Sequence, residues 1–102
     1  IVNLERYILD ADGQPIPEPD LVKWALWMGT GDHQTLKREQ VGRFRVSTIF
    51  LGLDHNWIGG DLVLWETRVF GGKLDGETER YTSKAEALEG HKRMVERVGE
   101  HA

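Results

Sequence analysis

Asp54, His55, Asn56 and Trp57 stand together between two apolar, strand-like runs within residues 46–72. A histidine beside a carboxylate can serve as a general base or hold a metal when further groups converge on it. Pattern brings two such groups into reach: Glu66 on the following strand, and His91 on the apolar stripe of the last helix. Asp54, His55, Glu66 and His91 around a metal or a water would make a small hydrolase. No HExxH, DxD or comparable ligand spacing accompanies them, so neither a resident metal nor a cofactor is expected. The same residues have a structural reading. Asp54 and Asn56 can shape the turn through side-chain-to-backbone bonds, and His91 can be a core histidine satisfied by one hydrogen bond. Trp57, at a loop tip, suits an interface or a stacked ligand ring, or else closes the end of the core. Trp24 and Trp65 fall on core faces.

Two further sets could bind. Lys37, Arg38, Arg43 and Arg45 lie close in sequence and could grip a phosphate or an acidic partner. The acidic total favours instead a solvated strand face that protects a sheet edge. The pairs Gly59-Gly60 and Gly71-Gly72 could offer backbone amides to an anion, but without a P-loop pattern turn geometry explains them. Thirteen basic residues against seventeen acidic give a net charge of −4. That balance argues against nucleic acid as a partner. The absence of cysteine excludes disulfides, thiolate metal sites and a cysteine nucleophile. No run approaches the roughly 18 apolar residues of a membrane span. Residues 1–10 lack a signal-peptide pattern, and a cytoplasmic location is expected.

The elements that must position these groups form one α+β domain over residues 1–102, in the order β-α-β-β-β-α. The expected architecture is an antiparallel sheet of three to four strands with both helices on one face. The first strand covers 4–9, and prolines at 15, 17 and 19 then block regular structure. A helix from Pro19 or Asp20 to Met28 carries Leu21, Trp24, Ala25 and Met28 inward, and Gly29 and Gly31 stop it. The polar stretch 32–40 reads as a loop. The longest strand spans 42–53, rich in β-branched and aromatic residues. The next, 62–70, turns Val63, Trp65, Thr67 and Val69 inward and Glu66 and Arg68 outward. A short strand covers 79–82. The last helix opens with a capping box, Ser83 to Glu86. It buries Leu88, His91, Val95 and Val98, with Glu89 and Arg93 paired outside. Gly90 inside it permits close approach to the sheet.

The segments VSTIFLGLDH (46–55), LWETRVFG (64–71) and RYTSKAEALEGH (80–91) resemble a family of small bacteriophage and prophage proteins marked by a VSTxFLGLDH…ETxVFG pattern. The resemblance covers about half the chain and departs at Trp57 and Ile58. It implies a phage context and makes host-directed roles, such as inhibition of a defence system, plausible. The outline α-β-β-β-α is also similar to the double-stranded-RNA-binding domain. Ser83, Lys84, Ala85 and Glu86 give no basic cluster at the start of the last helix, which argues against that activity. The expected function is a non-enzymatic module binding a protein or small ligand through the 54–60 loop. A small hydrolase is the second reading. A virion structural or assembly protein, working as a homo-oligomer, is the third.

Overall fold

The computed structural model describes residues 5–29, 32–55 and 60–101. Leu4, Gly31, Asn56, Trp57, Ile58 and Gly59, which carry expectations above, lie outside the described residues. The fold is α+β, in the order β1 (Tyr7–Leu9), β2 (Pro15–Pro17), α1 (Leu21–Gly29), β3 (Thr35–Val41), β4 (Phe44–Phe50), β5 (Trp65–Phe70), β6 (Thr78–Tyr81) and α2 (Lys84–Gly99). Strands β3 to β6 form an antiparallel meander, and β1 and β2 form a separate antiparallel pair.

Two strands arise where none was expected. Pro15 and Pro17 sit inside β2. Glu18 N–H donates to the Arg6 carbonyl and Asp10 N–H to the Gln14 carbonyl, both at 2.8 Å. Even-numbered residues of this stretch therefore face β1, and the two prolines turn their donor-less nitrogens away from it. The polar 32–40 stretch supplies β3, the outer strand of the meander. Its charged residues Lys37, Arg38 and Glu39, and an irregularity between Thr35 and Lys37, are the devices by which proteins keep an edge strand from pairing further. The expected long strand 42–53 is shorter at both ends. Gly42, at φ 58°, and Arg43 form the tight turn from β3, and β4 ends at Phe50.

Alternation then divides the sheet as the sequence indicates. Phe44, Val46, Thr48 and Phe50 of β4 and Trp65, Thr67 and Val69 of β5 are buried on one face. Helix α2 covers that face; α1 packs against β1 and reaches the face only at its Phe50 end, through Trp27. The core is two apolar clusters. One holds Tyr7, Phe50, Leu64, Trp65, Tyr81 and Ala87. The other holds Phe44, Val46, Val69, Met94 and Val98.

Both helices bury part of the expected stripe: His91 and Val98 of α2, with Val95 half-buried, and Trp24 and Met28 of α1 turn inward, whereas Leu88, Leu21 and Ala25 do not. Helix α2 turns Ala87, Gly90, His91, Met94 and Val98 inward and leaves Leu88 exposed. The helix settles on its smallest residues because they bring its backbone close to the sheet. A Cβ placed on Gly90 would lie 2.2 Å from the ring of Tyr81. Helix α1 half-buries Trp24, Trp27 and Met28, and leaves Leu21, Val22, Ala25 and Leu26 exposed. The two indoles decide its orientation. Trp24 Nε1 donates to the Gly52 carbonyl at 3.1 Å, and the Trp27 ring meets Phe50 edge-on at 5.9 Å.

Capping follows the sequence in part. Ser83 Oγ accepts the Glu86 N–H at 3.1 Å, while the Glu86 carboxylate takes the Thr82 hydroxyl. Ser83→Ala should cost about 1 kcal/mol, read as a lower urea midpoint at unchanged slope. Arg93 does not pair with Glu89. It reaches across to Glu79 on β6 at 2.9 Å.

Candidate functional site

The four residues of the hydrolase reading do not assemble into one centre. Asp54 Oδ1 accepts the Val63 N–H at 2.9 Å, and His55 N–H donates to the Val63 carbonyl at 2.9 Å. His55 Nδ1 lies 2.8 Å from the Leu53 carbonyl, which can only accept, so Nδ1 carries the proton. These bonds clamp the base of the 54–60 loop. His91 lies under α2 against the middle of the sheet. Glu66 points from the opposite face of the same sheet, where its cross-strand neighbours are Ile49 and Arg80. Among the described residues no group of three or more His, Asp or Glu could hold a metal ion.

His91 instead joins a buried polar belt between the two apolar clusters. Its Nε2 stands 3.0 Å from Glu39 Oε1, and its Nδ1 2.6 Å from Thr48 Oγ1. Thr48 Oγ1 in turn meets Thr67 Oγ1 at 2.5 Å. Lys37 first, and then His91, hold the Glu39 carboxyl below the usual carboxylate range. Glu39 is therefore an acceptor and Nε2 the donor. Burial holds His91 below its ordinary value and neutral, so Nδ1 accepts the Thr48 hydroxyl and Thr48 accepts that of Thr67. Every member is satisfied. Acid, imidazole and hydroxyl stand in the order of a nucleophilic triad, yet Thr48 and His91 are each 0% exposed. No substrate reaches a hydroxyl sealed between helix and sheet, and the belt ties α2 to β3, β4 and β5.

The other face of the meander is open. Cross-strand register sets its side chains in three rows: Gln40, Arg45 and Phe70; then Arg38, Ser47, Arg68 and Thr78; then Thr35, Ile49, Glu66 and Arg80. Four arginines thus share a surface with one carboxylate. Glu66, only 7% exposed, holds two of them by their Nε atoms, Arg80 at 3.1 Å and Arg68 at 3.5 Å. The terminal guanidinium nitrogens of both are left to outside acceptors. Arg45 lies over the Phe70 ring, 4.7 Å from its centroid. Among the described residues, no carboxylate pairs with Arg38 or Arg45. A recess of about 150 Å³ between Ser47, Ile49, Glu66, Arg68 and Phe70 marks the middle of this face.

No protein-family model, curated protein or solved structure matches this chain. The reading of its surface therefore rests on the chemistry just described. Of the basic set picked out by nearness in sequence, Arg38 and Arg45 belong to the open face. Lys37 pairs with Glu39 on the helix side, and Arg43 lies in the β3–β4 turn. Arg68 and Arg80, far from that segment in sequence, complete the face. Alternation along β5 already separated Arg68 from the core, but only the pairing of β5 with β4 and β6 brings it beside Arg38 and Arg80. Among the described residues, no helix is long and apolar enough to cross a membrane.

Proposed function

We propose that this domain is a non-enzymatic binding module whose working surface is the open face of the β3–β6 sheet and whose partner is anionic. The observation that carries this reading is the segregation of charge. Four arginines stand on one uncovered face of a chain whose net charge is −4. Among the described residues, two have no carboxylate partner, and two are held through Nε by a shared one. A guanidinium fixed in this manner is suited to carboxylate or phosphate oxygens, because less freedom is lost when the bond forms. The exclusion of water and substrate from Thr48 and His91 supports a binding role over hydrolysis. If the resemblance to phage proteins extends to context, the partner belongs to an infected host cell.

Heparin–agarose tests the reading with a generic polyanion. The wild-type domain should be retained at low salt despite its acidic total, and the double variant Arg38→Glu/Arg45→Glu should pass straight through. Equal elution of both proteins would remove the open face as the binding surface.

A further inference from the structure

The open face is laid out for a linear polyanion, and we infer that this is single-stranded nucleic acid. The inference rests on the anionic-partner reading above and adds the class of partner. Three features favour it. The guanidinium groups are spread through all three rows, Arg45 in the first, Arg38 and Arg68 in the second, Arg80 in the third. A single phosphorylated or acidic side chain would need them gathered at one point. Next, the first row offers a flat stacking surface, the Phe70 ring with the Arg45 guanidinium over it, and Phe70 is 37% exposed. Arginine planes and aromatic rings both take unstacked bases, and a four-stranded sheet with one bare face is a known platform for them. Finally, the helix that packs across this sheet, α2, lies on its opposite face, and among the described residues α1 packs against β1. Those residues give the surface nothing to insert into a duplex groove.

The total charge of the chain does not oppose this. It averages the arginine face with the rest of an acidic surface, and a strand laid along the sheet meets the local field first. The face carries one aromatic side chain where sequence-reading sheets stack several bases, so binding should be tolerant of sequence and strongly salt-dependent. Neutralising two to four phosphates on a single strand gives a slope of about −0.7 per phosphate in the logarithmic salt plot. Between about 50 and 200 mM salt the affinity should then fall by roughly 7- to 50-fold.

The experiment measures fluorescence anisotropy of labelled oligothymidylate and oligouridylate of about twelve nucleotides, within the range of known single-strand site sizes. A duplex of the same length and a poly-glutamate peptide run alongside. Wild-type protein should bind both single strands with that slope, and the duplex more weakly. Arg38→Glu/Arg45→Glu should abolish binding. Phe70→Ala should weaken the single strands by about fivefold, the low end of a stacking contact, and leave poly-glutamate unchanged. Lys92→Glu, on the exposed side of α2, should change nothing, and circular dichroism confirms that each variant is folded. Poly-glutamate bound as tightly as the oligonucleotides, with no effect of Phe70→Ala, would overturn the nucleic-acid inference while keeping the anionic face. Duplex bound as tightly as single strands would overturn it too. Failure of the wild type to bind any of these probes would remove both readings.

Discussion

Gly90→Ala is expected to destabilise the domain by about 2–3 kcal/mol, the cost of overpacking a closed core. The sign is informative, because the same change in an exposed helix gains about 1 kcal/mol in propensity. The new Cβ would stand 2.2 Å from the Tyr81 ring, and Tyr81 is itself only 4% exposed. Either the ring shifts towards the recess it lines with Ala85, Glu86, Glu89 and Arg93, giving up its packing in the core, or the helix lifts from β6. Lifting would draw Ala87 and His91 away from the sheet as well. A double-mutant cycle locates the strain. Tyr81→Leu alone should also destabilise, through the cavity it leaves. Combined with Gly90→Ala it should cost less than the sum of the two single changes. Urea denaturation measures all three variants, and an unchanged or raised midpoint for Gly90→Ala would mean that α2 does not approach the sheet this closely.

The second large effect concerns the belt beneath α2. His91→Leu should cost about 2–3 kcal/mol, since it strips the buried Thr48 hydroxyl of its acceptor and breaks the link to Glu39. It should also change how stability responds to acid. Burial lowers the pKa of His91 from its ordinary 6.5, so the unfolded chain takes up a proton first as pH falls. The contribution of neutral His91 is complete above about 6.5 and is lost as pH drops towards the lowered folded value. Glu39 is also lowered, from 4.5, so its contribution holds above that value and disappears below it. Wild-type stability should therefore decline in two stages. His91→Leu should remove the upper stage, and should remove most of the lower one's dependence on His91 while Lys37 still holds Glu39. Urea midpoints taken between about pH 8 and 4 resolve the stages, and a wild-type profile flat through 6.5 would contradict a buried neutral imidazole.

What was legible before the fold was known depended on how local the signal is. The alternation Trp65, Thr67, Val69 against Glu66 and Arg68 assigns both faces of β5 correctly, because a strand's period is written in adjacent residues. Ser83 announces the start of α2 for the same reason. The β3 strand was hidden because an edge strand is half solvated on its outer side. Thr35–Val41 carries charges where a central strand would carry β-branched residues, and its partner β4, not its own composition, makes it a strand. The α2 stripe was partly displaced because pattern reading favours large apolar side chains, such as Leu88, whereas a close helix–sheet contact selects Ala87 and Gly90. His91 was singled out, but its partners Glu39 and Thr48 lie 52 and 43 positions away, and no spacing rule joins them. The arginine face was split between segments for the same reason. Register is a property of pairs of strands.

The Gly52 carbonyl accepts both the Tyr7 backbone N–H, at 2.8 Å, and the Trp24 indole N–H. With the bridge between Arg6 and Leu53, it fastens the β1–β2–α1 segment to the body of the molecule. The strands of the meander and α2 complete one another's backbone pairing and helix contacts without that segment, which adds Tyr7, Leu9 and Trp27 to one of the two apolar clusters. Gly52 thus acts as a latch between two tiers that open at different cost, the thinner one releasing first. The latch adjoins Asp54 and His55, so whatever pulls on that loop loosens the N-terminal tier. The four arginines stand on strands whose ladder bonds run only to one another, so their register is set apart from the latch.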